Sequence, residues 1–437
     1  MVRSRPRVRV GIFFILVAVL SFLYISQATL ESLGWRYSGG GSEIEKIHPG
    51  TYLLFVTLLV MRFADASFFR SVVAKFTHDI GLASFTVTSV AAALYAVFIK
   101  NVSISPFVDT LATTVVVFAI FATLEERPLI AFRRAVDFFM IVNIGIIAAE
   151  YGLHRILTPH YKGPELISEY YARAFDRPAG FFGHPLVAAD FLCLYAIANI
   201  IVQMRSPSGK LWRILFAAVA LMAAVMTGGR TSLFAALAII ALTVFFFAIK
   251  ALIGGVLKRA EARTVFLLFA IFIIAVPIAL QLGAFDLLAD RLTNDNGSAL
   301  ARSYAMDIVT NMSARDLWLG IPGDVVLGQQ QAYGLIAIEI SWINFILLCG
   351  IVFTVPLFIG YFLFLFYSLR RRCVLALVPA LFLLVVQASS NAIWSKSTVF
   401  AAEIAILLSY TRRDLLEKSD PNMRRNDELP TVRSQFG

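Results

Sequence analysis

The stretch TGGRTS (Thr227–Ser232) sets one arginine, Arg230, between two strongly apolar runs with no acidic residue beside it. A lone charge at the edge of hydrocarbon is costly, so its position asks for a ligand or an escape to water. Two glycines allow a tight turn, and Thr227, Thr231 or Ser232 offers a hydroxyl to cap the helix that follows. Exposed amides at a helix start, with a guanidinium beside them, make a site for an anion such as the phosphate of a lipid carrier. The same position also suits an arginine that snorkels to the headgroup region.

Two polar segments add to this inventory. RPAGFFGHP brings Arg177, two glycines and His184 to the start of an apolar run, and the segment 285–334 supplies Arg291, Arg302 and Arg315. Ser298 is placed to cap a helix that carries Arg302 in an early turn. Several guanidiniums facing one chamber would clamp a pyrophosphate and stabilise it as a leaving group. The stretch HRILTPHYKGPELISEYYARAFDRP mixes Tyr161, Tyr170 and Tyr171 with Glu165, Glu169 and Asp176. A helix over about 164–175 would present these aromatic faces and carboxylates to sugar rings, and the same composition fits an interfacial aromatic belt.

Other chemistries are excluded by what is missing. Cys193, Cys349 and Cys373 are isolated, so there is neither a disulfide framework nor a CxxC metal pair, and the histidines lack metal-ligand spacing. No Walker-type phosphate loop, HExxH or GxSxG is present. No metal and no cofactor is expected.

The elements that must hold these residues are membrane helices. Of the 437 residues, 59% are hydrophobic and only 15% charged, and the mean hydropathy is +0.79. Soluble chains average roughly 45–50% apolar and about 25% charged. Apolar runs predict about twelve spans, near 10–30, 50–64, 80–99, 104–123, 135–152, 183–204, 211–226, 231–249, 264–284, 335–369, 373–390 and 397–410. The reading is an all-α, polytopic integral membrane protein. Residues 1–152 hold the first helices, 153–182 a first large loop and 183–284 the central helices. A second large loop occupies 285–334, the last helices 335–410 and a loose polar tail 411–437. The segment 335–369 is read as an interfacial approach followed by one span, because no polar turn divides it.

Most of the 38 Lys and Arg residues fall in connectors that alternate onto one side, which places both termini in the cytoplasm and both large loops outside. The net charge of +10 is explained by topology and anionic lipid, without nucleic acid. Asp65, Asp109 and Asp137 sit near span ends, where a carboxylate reaches water. Asn143 and Asp190 are deeper, and Asp190, two turns below His184, is a candidate orienting partner for Arg230.

Three stretches carry a resemblance. RPAGFFGHPLVAA is similar to the R-x-x-G-x-F-x-N-P-N stretch of the bacterial O-antigen polymerase and ligase superfamily. MTGGRTSLFA resembles that superfamily's S/T-G-S-R-G/T turn, and ARSYAMDIVTNMSARDLWLGIPGD its R-x-x-x-W…P-L-x-G-x-G segment, together covering roughly 170–370. The resemblance implies a membrane glycosyltransferase of the bacterial inner membrane, moving glycan from an undecaprenyl-diphosphate donor to an acceptor on the periplasmic face. It implies diphosphate binding by Arg177, Arg230 and Arg302, with Arg291 placed less directly. Membrane lipid, a flippase and chain-length or export proteins are the partners expected.

Ligases of the superfamily carry a histidine in H-N-x-x-L after the large loop. Here GLIAIEISWINFILLCG has Glu339 and Asn344 instead, which favours a polymerase of the exopolysaccharide branch over a ligase. A general base must take the proton of the attacking hydroxyl, and a partly desolvated carboxylate can do so. Glu339 is the first candidate, with Asp324 and His184 behind it; Glu339 equally suits a structural carboxylate paired with a loop arginine. A flippase for lipid-linked glycan is the reading from a different class.

Overall fold

The computed structural model describes residues 6–37, 42–162, 165–167, 177–205, 212–253, 262–267, 298–335, 338, 340–368, 376–389 and 397–411. Ten helices come first: α1 (Pro6–Tyr24), α2 (Gln27–Ser32), α3 (Pro49–Ala64), α4 (Ala66–His78), α5 (Ile80–Lys100), α6 (Thr113–Thr123), α7 (Glu126–Leu153), α8 (Pro185–Arg205), α9 (Trp212–Thr227) and α10 (Arg230–Leu252). A π-helical segment, Phe107–Ala112, leads into α6. Three short helices follow, α11 (Ser298–Thr310), α12 (Ala314–Leu319) and α13 (Gly323–Ala332), then α14 (Ser341–Leu363), α15 (Leu377–Ser389) and α16 (Val399–Thr411).

Five of these, α5, α7, α8, α10 and α14 with its continuation to Ser368, are long and apolar enough to cross a membrane. Shorter apolar helices lie on six more of the expected spans, and most of the span expected at 264–284 is outside the described residues. The 13 residues of α16 rise only about 20 Å, short of a hydrocarbon core of ~30 Å. Length alone does not make such a helix a crossing.

The bundle is organised around α8. It is apolar over most of its surface, and 89% of its span is buried, against 28% for α5. A helix of that kind belongs at a core. Ala188, Ala189, Ala196 and Ala198 let its neighbours α9, α10, α15 and α16 approach closely. The perimeter is apolar too: Phe13, Phe63, Phe98, Phe138, Phe245 and Phe246 are exposed. Such a surface is a liability in water and matches lipid chains.

One end of the bundle gathers the ends of α5, α7 and α9 and the starts of α3, α8 and α10. Contacts of Ser26 with Gly183, His48 with Asp109, Ser103 with Glu43, and Thr110 with Ser397 tie it together.

Three expectations change, and one expected element gains a break. The helix anticipated over 164–175 is replaced, where described, by a hairpin in which His160–Lys162 pairs antiparallel with Glu165–Ile167. Gly163-Pro164 separates the strands, and such a pair favours a turn over a helix. Secondly, α14 breaks at Gly350, whose φ of 68° and ψ of 173° are not helical. The first half folds back so that Phe345 packs on Phe358, ring centroids 6.1 Å apart. The backbone of Trp318 and Gly320 fills the space where a side chain on residue 350 would stand. There Ile321 N–H donates to Leu347 O (2.6 Å), and Lys100 Nζ donates to Gly320 O (2.6 Å).

The third and fourth changes concern carboxylates assigned to water. Asp109 is fully buried because the segment before α3 folds over it. It accepts from Tyr37 Oη (2.9 Å), His48 N–H (3.0 Å) and Thr51 Oγ1 (2.8 Å). Asp137, at the opposite end of the bundle, pairs with Arg213 (3.3 Å) and accepts from Tyr195 Oη (2.9 Å) and Tyr410 Oη. Asn199 Oδ1 takes a further Arg213 proton (2.6 Å). Asp65 does sit at a helix end, where it caps α4.

Breaking a buried pair leaves an uncompensated charge at a cost of about 3–5 kcal/mol. Arg213→Met should therefore lower the unfolding midpoint of the detergent-solubilised protein markedly. Combining it with Asp137→Asn should recover much of the loss, as read by thermal denaturation.

Candidate functional site

The loop holding Arg177 is fixed from below by the end of α7. Glu150, fully buried, accepts at Oε1 from Leu157 N–H (3.1 Å) and Thr158 N–H (3.2 Å). At Oε2 it accepts from Ala179 N–H (3.0 Å) and Gly180 N–H (3.0 Å). The Thr158 hydroxyl lies 3.0 Å from Oε1 and 2.7 Å from Gly180 O, and Asn143 Oδ1 accepts from Phe181 N–H (2.8 Å). A carboxylate surrounded by amides in this way is satisfied without a cation. The amides of Ala179–Phe181 therefore point inward, and the cationic group of this loop is the Arg177 guanidinium.

The loop ends on His184, which caps α8. Its carbonyl accepts from Ala188 N–H (3.0 Å), its Nδ1 accepts from Leu186 N–H (3.2 Å), and Pro185 occupies the first helical position, where a missing N–H costs nothing. His48-Pro49 repeats the device on α3: Nδ1 accepts from Gly50 N–H (3.0 Å). There Nε2 donates to Ile25 O (2.9 Å). The Nε2 of His184 meets no acceptor among the described residues.

An acceptor Nδ1 requires the proton on Nε2 of a neutral ring. Burial, then the nearby charges of Arg177 and His160, pushes the His184 pKa down to about 4. Its one free nitrogen already carries a proton, so His184 is a donor of a hydrogen bond rather than a base. The expectation that it could act as a general base is withdrawn on this ground.

The TGGR turn docks one turn further along α8. Gly228 takes a left-handed φ of 68°, and a methyl group on Gly229 would overlap Ala189 of α8. Leu233 N–H donates to Gly229 O (3.1 Å), which starts α10. The Thr227 hydroxyl donates to Ala224 O (2.7 Å) and the Ser232 hydroxyl to Asp190, so neither caps α10 as expected. Asp190 thus meets Ser232, two residues beyond Arg230 on α10.

Arg177, His184 and the Arg230 turn therefore meet at the first turns of α8, with His160 alongside. Guanidiniums, an Nε2–H donor and a helix start all favour an anion. The other expected residues lie on other elements or outside the described residues. Arg302 is exposed on α11, whose first residue is Ser298, and α11 packs on α14. Asp324 is exposed in the first turn of α13, beside the end of α5. Tyr161 lies in the hairpin opposite Leu166. Glu339, Arg291, Tyr170 and Tyr171 lie outside the described residues.

Glu150 and Glu403 were not picked out by residue type and spacing. Each is a lone carboxylate in an apolar run, IIAAEYGL and VFAAEIAILL, and that alone was the available signal. Comparison of the chain with family models, with curated proteins and with solved structures finds no match in any of the three.

His48 and His184 are both held near pKa 4, mainly by burial, whereas the unfolded chain takes up these protons near pH 6.5. Their contribution is complete above pH 6.5 and is lost as the pH falls towards 4. Wild type should accordingly lose its stability advantage over His48→Gln and His184→Gln across that window, measured by melting temperature against pH.

Proposed function

We propose that this chain is a membrane glycosyltransferase that polymerises undecaprenyl-diphosphate-linked oligosaccharide repeat units into surface polysaccharide. The observation that supports the reading is the meeting of the RPAGFFGHP loop and the TGGR turn at the start of α8, although α8 and α9 separate them in sequence. In this reading the chain crosses the bacterial inner membrane about twelve times, with both termini cytoplasmic and the arginine end of the bundle periplasmic.

The acceptor hydroxyl attacks the anomeric carbon, and the bond from that carbon to the diphosphate oxygen breaks. Undecaprenyl diphosphate leaves with the electron pair. Arg177 and Arg230 bind the growing negative charge, and the Nε2–H of His184 donates to a phosphate oxygen; such donors act strongly in a water-poor site. Arg302 and Arg291 extend the clamp from the second large loop, and Tyr161, Tyr170 and Tyr171 hold sugar. The proton of the hydroxyl passes to Glu339, or to Asp324 in its place. Flippase and chain-length or export proteins deliver the donor and take the product.

The test is the size profile of lipid-linked glycans in cells lacking the protein. Single repeat units should accumulate on the periplasmic side, and neither Arg177→Ala nor Arg230→Ala should restore polymer, while both variants insert normally. Long polymer stranded on the carrier would make the chain a ligase. Single units confined to the cytoplasmic leaflet would make it a flippase, and normal polymer from a stably inserted Arg230→Ala protein would end the arginine-clamp reading.

A further inference from the structure

Directly below the docked TGGR turn, α8, α10, α14, α15 and α16 enclose a layer of oxygen atoms. Glu403 of α16 is fully buried. Its Oε2 accepts from Gln387 Nε2 of α15 (2.6 Å), and its Oε1 has no hydrogen-bond partner among the described residues. That bond turns the Gln387 amide towards Glu403, yet Gln387 Oε1, also fully buried, is without a partner too. The Tyr361 hydroxyl of α14 is buried, unpartnered and an electrostatic neighbour of Glu403. Asp190 of α8 is a second such neighbour, and its only hydrogen bond among the described residues is from Ser232.

The arrangement differs from that of the four other buried carboxylates among the described residues, of which Asp79 accepts from Leu82 N–H (3.2 Å) and the Ser368 hydroxyl (2.5 Å). Asp109 and Glu150 are enclosed by donors, and Asp137 has Arg213. Asp190 and Glu403 share one layer, and neither has an ion pair among the described residues. Glu403 Oε1 and Gln387 Oε1 are buried acceptor atoms without a hydrogen-bond partner among the described residues, and the Tyr361 hydroxyl beside Glu403 is likewise unengaged. A cation between a carboxylate and an amide oxygen would satisfy both atoms at once.

We propose that this layer binds a single monovalent cation, a proton or a sodium ion, with Glu403 and Gln387 as its principal ligands and Asp190 as the neighbouring charge. An all-oxygen donor set suits a hard cation. Among the described residues no group of three His, Cys, Asp or Glu is placed to hold a metal ion, which argues against a transition metal. Cys193 faces the layer from α8 beside Asp190, and Arg230 stands two residues before Ser232 on α10. Above, Asp109 on the π-helical segment is engaged by Tyr37, His48 and Thr51. Below, Asp137 of α7 is engaged by Arg213, Tyr195 and Tyr410. Arg213 is held by Asp137, and neither Glu403 nor Asp190 has an ion pair among the described residues. The site is independent of glycan transfer and stands or falls by cation binding alone.

The experiment is thermal unfolding of the full-length protein in detergent, with sodium chloride replaced stepwise by choline chloride at constant ionic strength. A ligand that binds only the folded state raises its stability saturably. For sodium, the melting temperature rises by several degrees with saturation, and the rise is lost in both Glu403→Gln and Gln387→Leu. For a proton, sodium has no effect, and a transition in the melting temperature against pH, measured in choline, is present in wild type and absent in Glu403→Gln. Indifference to sodium together with the same pH profile in wild type and Glu403→Gln would overturn the proposal. The sodium-for-choline comparison on wild type needs no variant to fold, and Gln387→Leu keeps both carboxylates.

Discussion

Everything at the arginine end of the bundle hangs on how one buried carboxylate, Glu150, is satisfied. A charge at that depth is tolerated only with donors on both oxygens, and Glu150 draws them from two loop segments distant from each other in sequence, Leu157–Thr158 and Ala179–Gly180. That pins the loop carrying Arg177 to the end of α7 and delivers the chain to His184 at a fixed angle. His184 then starts α8, and α8 receives Gly229 and Ser232 from the next turn. The arginines meet because a carboxylate pulls the loop in, before any ligand is considered.

The same constraint runs through the whole fold. In an apolar interior with little water a buried carboxylate needs partners, and for Asp109 and Asp137 the bundle supplies them in compact sets. Asp109 is met by Tyr37, His48 and Thr51, and Asp137 by Arg213, Tyr195 and Tyr410. Each set joins segments far apart in the chain, so the polar residues fix which helices are neighbours while the apolar surface fixes only that helices form. The layer around Glu403 gathers three buried polar atoms without a partner among the described residues, those of Tyr361, Gln387 and Glu403, and Ser232 links it to the TGGR turn.

The helices were legible in the sequence because the length and hydropathy of an apolar run are local properties. The runs at 80–99, 183–204 and 231–249 match α5, α8 and α10 closely. What was not legible depends on the backbone or on packing. The break at Gly350 lies in an unbroken apolar stretch, and only the approach of Trp318 and Gly320 explains it. Asp109 and Asp137 lie a few residues from span ends, and sequence distance to water does not reveal a segment folded over the carboxylate. For the site, Arg177, His184, Arg230 and Asp190 were recognisable as unusual residues in apolar surroundings. The role of His184 was not, because the acceptor state of Nδ1 follows from the cap it forms. Glu150 is not legible because a lone glutamate near a helix end carries no sign in the sequence of the amides that fold onto it.

The central claim is that Arg177 and Arg230 act on one anionic group at the start of α8. The most direct measurement is the affinity of the purified protein for a polyprenyl diphosphate, determined for wild type, Arg177→Ala, Arg230→Ala and the double variant. Groups sharing one ligand are energetically coupled, and groups at separate sites are additive. The account predicts a large loss from each single substitution and a double loss clearly smaller than their sum. Unchanged affinity in either single variant, or strictly additive losses, would contradict it.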